Sequence, residues 1–217
     1  MSLTVFANIL IDDEERFQRL QESFFSFYKC DINYWVINVR GKYKEQTKLF
    51  LEKNLGKNIL KVYFLNSKKG WFHDSSQMLE KITTKYVFVW NEDHKNLLEQ
   101  SEFNEIINEI IENKVDNFTY SLSFNGDLYK SMLIEETIQT NKIAYLDYNL
   151  KLHEKRMELI NKYKLLGQEY IISLVSINTR ELFKKIIFTN DPPIKRWSKQ
   201  KPFDFEKAPN DIHWLPF

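Results

Sequence analysis

A chain of 217 residues is long enough to bury one sizeable core and short for two, and its 43% hydrophobic and 28% charged content excludes a wholly disordered polymer. With 31 Lys plus Arg against 30 Asp plus Glu, the formal charge is +1, so no overall field draws in nucleic acid or an anionic membrane. Any anion has to be bound locally. The one cysteine, Cys30, excludes an internal disulfide and a cysteine-based zinc site, and its place after an aromatic helical run reads as inert packing.

The first elements alternate. Leu3 to Ile11 (LTVFANILI) is a short apolar run that ends in Asp12-Asp13, which predicts a buried strand. From Asp13 to Tyr28, Phe17, Leu20, Phe24 and Phe27 recur at spacings of three and four behind the acids Asp13, Glu14 and Glu15, which predicts a helix. Ile32 to Val39 is a second strand, Gly41 a turn, and Lys44 to Leu55 a helix closed by Gly56. Ile59 to Leu65 makes a third strand, Asn66 to Gly70 a turn, Ser75 to Thr83 a helix, and Lys85 to Trp90 (KYVFVW) a fourth strand. Such alternation requires parallel pairing, so residues 1–95 predict a Rossmann-like, mostly parallel α/β sheet flanked by helices.

The second half predicts mixed strands. Phe103 to Glu112 has helical periodicity, Asn117 to Phe124 reads as a strand, and Asn125-Gly126-Asp127 as a turn that closes a hairpin with Leu128 to Ile134. Leu150 to Leu166 reads as a helix, Tyr170 to Ile177 as a strand and Thr179 to Ile187 as a helix. From Thr189 onward, Pro192, Pro193, Pro202, Pro209 and Pro216 mark a loop-like tail. No apolar run approaches the roughly 20 residues that span a bilayer, and no basic-then-apolar leader opens the chain. The expectation is a cytoplasmic chain without a transmembrane segment.

In an open parallel sheet, ligands bind outside the carboxyl ends of the strands, where strand order reverses. Those ends lie near Ala7, Asn8 and Leu10, at Asn38 and Arg40, from Asn66 to Gly70, and at Asn91-Glu92-Asp93-His94. The last is the most chemically loaded. On an extended segment Asn91 and Asp93 face one way and Glu92 the other, and hard divalent cations take such oxygen ligands. Asp93 as a simple helix cap is the competing reading.

These residues also carry a family resemblance. FANILIDDEERFQRLQESF and LNSKKGWFHDSSQMLEKITTKYVFVWNEDH resemble, in length and order, the nucleotide-binding half of the inverting family-two glycosyltransferases of the GT-A fold. The piece KYVFVWNEDH is similar to that family's strand ending in an acidic Asp-x-Asp motif. The resemblance implies one GT-A-like domain over residues 1–217, with a nucleotide-binding half at 1–95 and an acceptor-binding half and tail at 96–217. It implies a UDP- or GDP-sugar donor, a saccharide or other hydroxyl acceptor, and Mn2+ or Mg2+ held by Asp93 and Asn91. Asn91 stands where the family has an acid. Ala7, Asn8, Leu10, Asn38, Arg40, Lys69, Gly70, Asn91 and Glu92 fall where the family meets its donor, Asn38 in place of a frequent Asp.

A second likeness lies in the tail. KPFDFEKAP resembles a pattern near the C-terminus of several small GT-A-type transferases, which implies Glu206, or alternatively Asp204, as the acceptor base. His213 corresponds to a late histidine that completes the metal shell in some of these enzymes. His73 and His94 flank the expected pocket, while His153 on a charged helix reads as surface. Two other classes stay open: a nucleotide-sugar or partner-binding module without catalysis, which Asn91 favours, and an unrelated Rossmann-like enzyme. The latter is disfavoured because ANILIDDEER stands where a Gly-x-Gly-x-x-Gly loop would follow the first strand.

Overall fold

A computed structural model describes residues 3–120, 136–147, 149–163 and 175–189. The turn and hairpin expected at 125–134 and the tail beyond residue 189 lie outside the described residues. Strands β1 (Leu3–Leu10), β2 (Tyr34–Arg40), β3 (Leu60–Tyr63) and β4 (Tyr86–Val89) alternate with helices α1 (Glu14–Phe27), α2 (Lys44–Leu55) and α3 (Trp71–Leu79). There follow α4 (Gln100–Glu112), β5 (Asn117–Thr119), β6 (Thr137–Gln139), β7 (Ala144–Leu146), α5 (Leu150–Tyr163), β8 (Ser176–Thr179) and α6 (Arg180–Thr189).

The main sheet has the order β3-β2-β1-β4-β8-β5. β1 pairs in parallel with β2 and β4, and β2 with β3, while β8 lies antiparallel between β4 and β5. The architecture is therefore α/β, with a mostly parallel sheet flanked by helices, as expected. Alternation along β1 splits the core. Val5, Ala7, Ile9 and Ile11 face Phe24, Phe27 and Phe103, and Phe6 faces Trp71, Phe72 and Phe183 on the other side. Full burial of Leu20 and Phe24 contributes about 1.5–3 kcal/mol each.

Local chemistry explains the ends. Asp13 caps α1 by accepting from Arg16 N at 2.8 Å, and Glu14 and Glu15 occupy the favourable first turn. Helix α3 starts four residues earlier than its periodicity predicts, directly after Gly70. Trp71, Phe72, Ser75, Met78 and Leu79 form one buried stripe, and Asp74 supplies the first-turn acid that was overlooked. The strand expected over 170–177 is described only as Ser176–Thr179. The hairpin β6–β7, closed by Thr140 N to Ile143 O at 2.9 Å, was not foreseen, because three-residue strands are too short for alternation to register.

Cys30 is buried, and burial pushes its thiol up to about 11, in line with a packing role. A free thiol ionises near 9.0. Between those values the unfolded chain releases a proton that the folded chain keeps, so folding stability falls as pH rises through that window. At pH 8 a thiol reagent is expected to label Cys30 only at the rate of unfolding. Fast labelling of the native protein would show an exposed thiolate instead.

Candidate functional site

Strand order reverses between β1 and β4, and the backbone opens there. β1 and β4 are paired from Leu3↔Tyr86 to Phe6↔Val89, and Trp90 N closes the last rung on Phe6 O at 2.9 Å. Beyond this rung β1 runs on through Ala7 to Leu10 against β2 alone. The segment after β4 turns away: His94 N donates to Asn91 O at 3.2 Å, so Asn91 to His94 is a tight turn. This corrects the extended reading in which Asn91 and Asp93 share a face by simple alternation, because a turn removes the two-residue period.

Helix α1 holds that turn. Ser23, fully buried, accepts from Trp90 Nε1 at 2.7 Å, and its hydroxyl donates toward the carbonyls of Asn91, at 3.4 Å, and His94. One turn later, Ser26 Oγ accepts from Asn96 N at 2.9 Å, and Ser26 O accepts from Asn96 Nδ2 at 3.2 Å. Two serines three apart on one helix face thus fix the loop that carries the acids. Ser23→Ala leaves a buried indole N–H unpaired, for an expected loss of about 1–3 kcal/mol in denaturant unfolding. A loss below about 0.5 kcal/mol would show that this bond does not anchor the turn.

The acids differ in state. Asp93 is half-exposed, and its hydrogen bond to His94 Nδ1 at 2.8 Å holds its carboxyl below the usual range, while the same bond raises the imidazole. Glu92 is mostly buried, and desolvation pushes it up. Arg16 opposes that shift: its Nη1 donates to Leu10 O at 2.9 Å and lies 3.7 Å from Glu92 Oε1, so it ties the end of β1 to the acid turn.

The residues expected at the donor separate into three groups. Leu10, Glu92, Asp93 and His94 gather at the switch point, with Arg40 within electrostatic reach of Glu92. Ala7, Asn8 and Asn38 lie below it. Ala7 packs in the core, and Asn38 is fully buried, with Nδ2 donating to Asn8 Oδ1 at 2.9 Å and Leu65 O at 3.0 Å while Oδ1 accepts from Leu65 N at 2.7 Å. Asn8 Nδ2 bonds Trp71 O at 3.1 Å and Ser75 Oγ at 2.9 Å. These amides lock β1, β2 and the start of α3 together, so they position the site from beneath. Lys69 is exposed on the turn before α3, and Gly70 is that helix's cap. His73 pairs with Gln77 along α3. Asp204, Glu206 and His213 lie outside the described residues, as does the His153 side chain.

Sequence reasoning missed Arg16, Ser23 and Asp74. Asp74 is buried and accepts from Ser67 N at 3.1 and 3.3 Å, which fixes the β3–α3 turn. Its signal was a first-turn acid after a glycine. For a divalent cation, Asp93 offers an accessible carboxylate, but no three His, Cys, Asp or Glu residues gather among the described residues. Asp93 suits a cation whose remaining oxygens come from the ligand.

No protein-family model and no curated protein matches the chain. Among solved structures it is similar to S. aureus TarS 1-349, a glycosyltransferase, at 16% identity and a TM-score of 0.51, over 95% of this chain and 55% of that one. The same protein in complex with UDP-GlcNAc aligns at 15% identity and a TM-score of 0.51, over 95% of this chain and 53% of that one. The chain thus spans about half the length of the structures it matches. The likeness is one of fold: the α/β sheet is a GT-A-like glycosyltransferase fold. No helix among the described residues is long and apolar enough to cross a membrane.

Proposed function

We propose that this chain is a glycosyltransferase that moves a sugar from a nucleoside-diphosphate donor to an acceptor hydroxyl with inversion, in the cytoplasm. The observation that carries the reading is the acid turn Asn91–His94 at the strand-order reversal of a GT-A-like sheet. The neighbour solved with UDP-GlcNAc supports a UDP-sugar as donor, with a GDP-sugar as the alternative. Asp93 and Asn91 would hold Mn2+ or Mg2+, which supplies charge stabilisation to a departing diphosphate. In the transfer, the acceptor oxygen bonds to the anomeric carbon as the bond to the diphosphate oxygen breaks, and the hydroxyl proton passes to a carboxylate. Glu206, or Asp204, is proposed for that role. Arg16 keeps Glu92 and the β1 exit together, so the crevice floor is preorganised.

The test is a thermal-shift panel of sugar nucleotides with and without manganese. A UDP- or GDP-sugar is expected to raise Tm, and Asp93→Ala to remove the cation-dependent part while leaving the unliganded Tm nearly unchanged, because the side chain is half-exposed. The donor assignment fails if no nucleoside diphosphate binds. Asn91 in place of an acid favours a second reading, a binding module without turnover. Donor binding without transfer, unchanged by Asn91→Asp, would select it.

A further inference from the structure

Beside the crevice, the β2–α2 turn walls an open cleft of about 350 Å³, lined by Asp12, Arg40, Lys42, Lys44, Phe64 and Asn66 around the Gly41 backbone. Three cationic side chains therefore meet one carboxylate. Arg40 is the unusual member. Its Nε is buried and finds no hydrogen-bond partner among the described residues. Burial lowers the basicity of its guanidinium, and Asp74, Asp12 and Glu92 oppose that shift only as neighbouring charges. Two of those three acids are engaged elsewhere, Asp74 with Ser67 N and Glu92 with Arg16. A desolvated donor without a partner costs stability, so Arg40 is held in the cleft wall by the fold and not by its own hydrogen bonding at Nε.

The rest of the cleft is matched to an anion. Lys44 sits over the Phe64 ring with its ammonium 5.3 Å from the centroid, which holds its charge at the rim. Gly41 lets the turn close against the end of β1, because a Cβ there would lie 2.3 Å from Ile11 O and 2.7 Å from the Asp12 carboxylate. A planar guanidinium presents paired donors that fit phosphate oxygens, and two nearby ammonium groups balance the remaining charge.

We propose that this cleft is a phosphoryl-binding site in which Arg40, assisted by Lys42 and Lys44, binds a phosphate group without a divalent cation. The site stands on its own residues and does not rest on sugar transfer. The phosphoryl group belongs either to a nucleoside diphosphate or to a phosphorylated acceptor.

Titration of the full chain with inorganic pyrophosphate in EDTA, followed by calorimetry and thermal shift, tests the site. Wild type is expected to bind, and Arg40→Met to weaken binding at least roughly tenfold while its unliganded Tm stays level or rises. A purely structural arginine would lower Tm instead. Lys44→Gln, on an exposed side chain that folding does not need, is expected to weaken binding by about twofold to fivefold, and it decides the matter should Arg40→Met not fold. Absence of pyrophosphate binding in EDTA, or unchanged affinity in these variants, overturns the proposal. Competition by UDP or GDP but not uridine assigns the group to the nucleotide, and glycerol 3-phosphate bound together with UDP assigns it to the acceptor. Either result supports the site. Failure of every sugar nucleotide to bind would sink the transferase reading and leave the pyrophosphate result standing.

Discussion

Gly41→Ala is expected to lower folding stability by roughly 2–6 kcal/mol, through backbone strain and a steric clash of about 1–3 kcal/mol each. The backbone at Gly41 has φ +97°, which side chains rarely adopt, and the new methyl carbon would sit 2.3 Å from Ile11 O and 2.6 Å from Ile11 C. Neither neighbour can yield cheaply. Ile11 N donates to Arg40 O at 2.9 Å and Tyr43 N to Ile11 O at 3.0 Å, so moving Ile11 strains the β1–β2 exit on which the site is built. Gly56→Ala is the matched control, since φ is +76° there but nothing lies within 4 Å. It is expected to show the strain without the clash. Chemical denaturation of the two variants separates the terms, and an equal loss in both would mean that the β1 exit adjusts freely.

Asn38→Asp is the second large effect, and its sign discriminates between two roles. The resemblance to family-two transferases implies an acid at this position, so restoring one would tighten donor binding. The geometry implies the opposite. Asn38 Nδ2 donates to two oxygens, Asn8 Oδ1 and Leu65 O, at a position without solvent exposure. A carboxylate there sets oxygen against oxygen and carries a desolvated charge, at an expected cost of roughly 2–5 kcal/mol near pH 7. Burial raises the native pKa of such an Asp, so folding takes up a proton. The deficit should therefore be smallest below about pH 4, where the unfolded carboxyl is also protonated, and grow until the raised native value is passed. Unfolding curves for both proteins at several pH values measure this. A stable Asn38→Asp protein with tighter donor binding would return Asn38 to direct contact with the ligand.

Much of the first half was legible because it depends on local rules. Helix α2 occupies Lys44–Leu55, closed by Gly56 as expected, and the four parallel strands fall within two residues of their apolar runs at every end. Strand-end logic also located the acid turn, since the buried run Tyr86 to Trp90 is followed at once by Asn91, Glu92 and Asp93.

The alternation of elements, the apolar surfaces and the charge collected at the strand ends are all written in local stretches of the chain. All of these are carried by residues within one helical turn or one strand of each other. Which partner each surface meets is settled by packing between distant segments. Nothing in SINT announces that β8 enters antiparallel between β4 and β5, because that order depends on matching sheet faces across about 90 residues. Nor does any local pattern pair Asn8 with Asn38, or Ser23 with the Trp90 indole. The first pair meets because parallel register sets the two asparagines side by side, the second because α1 crosses above the end of β4. Arg40 shows the same division: its charge was plain in the chain, but the burial of Nε without a hydrogen-bond partner among the described residues arises only when the ends of β1 and β2 close around Gly41. Periodicity reports which side of an element is buried, whereas the identity of the neighbour is a property of packing between segments distant in the chain.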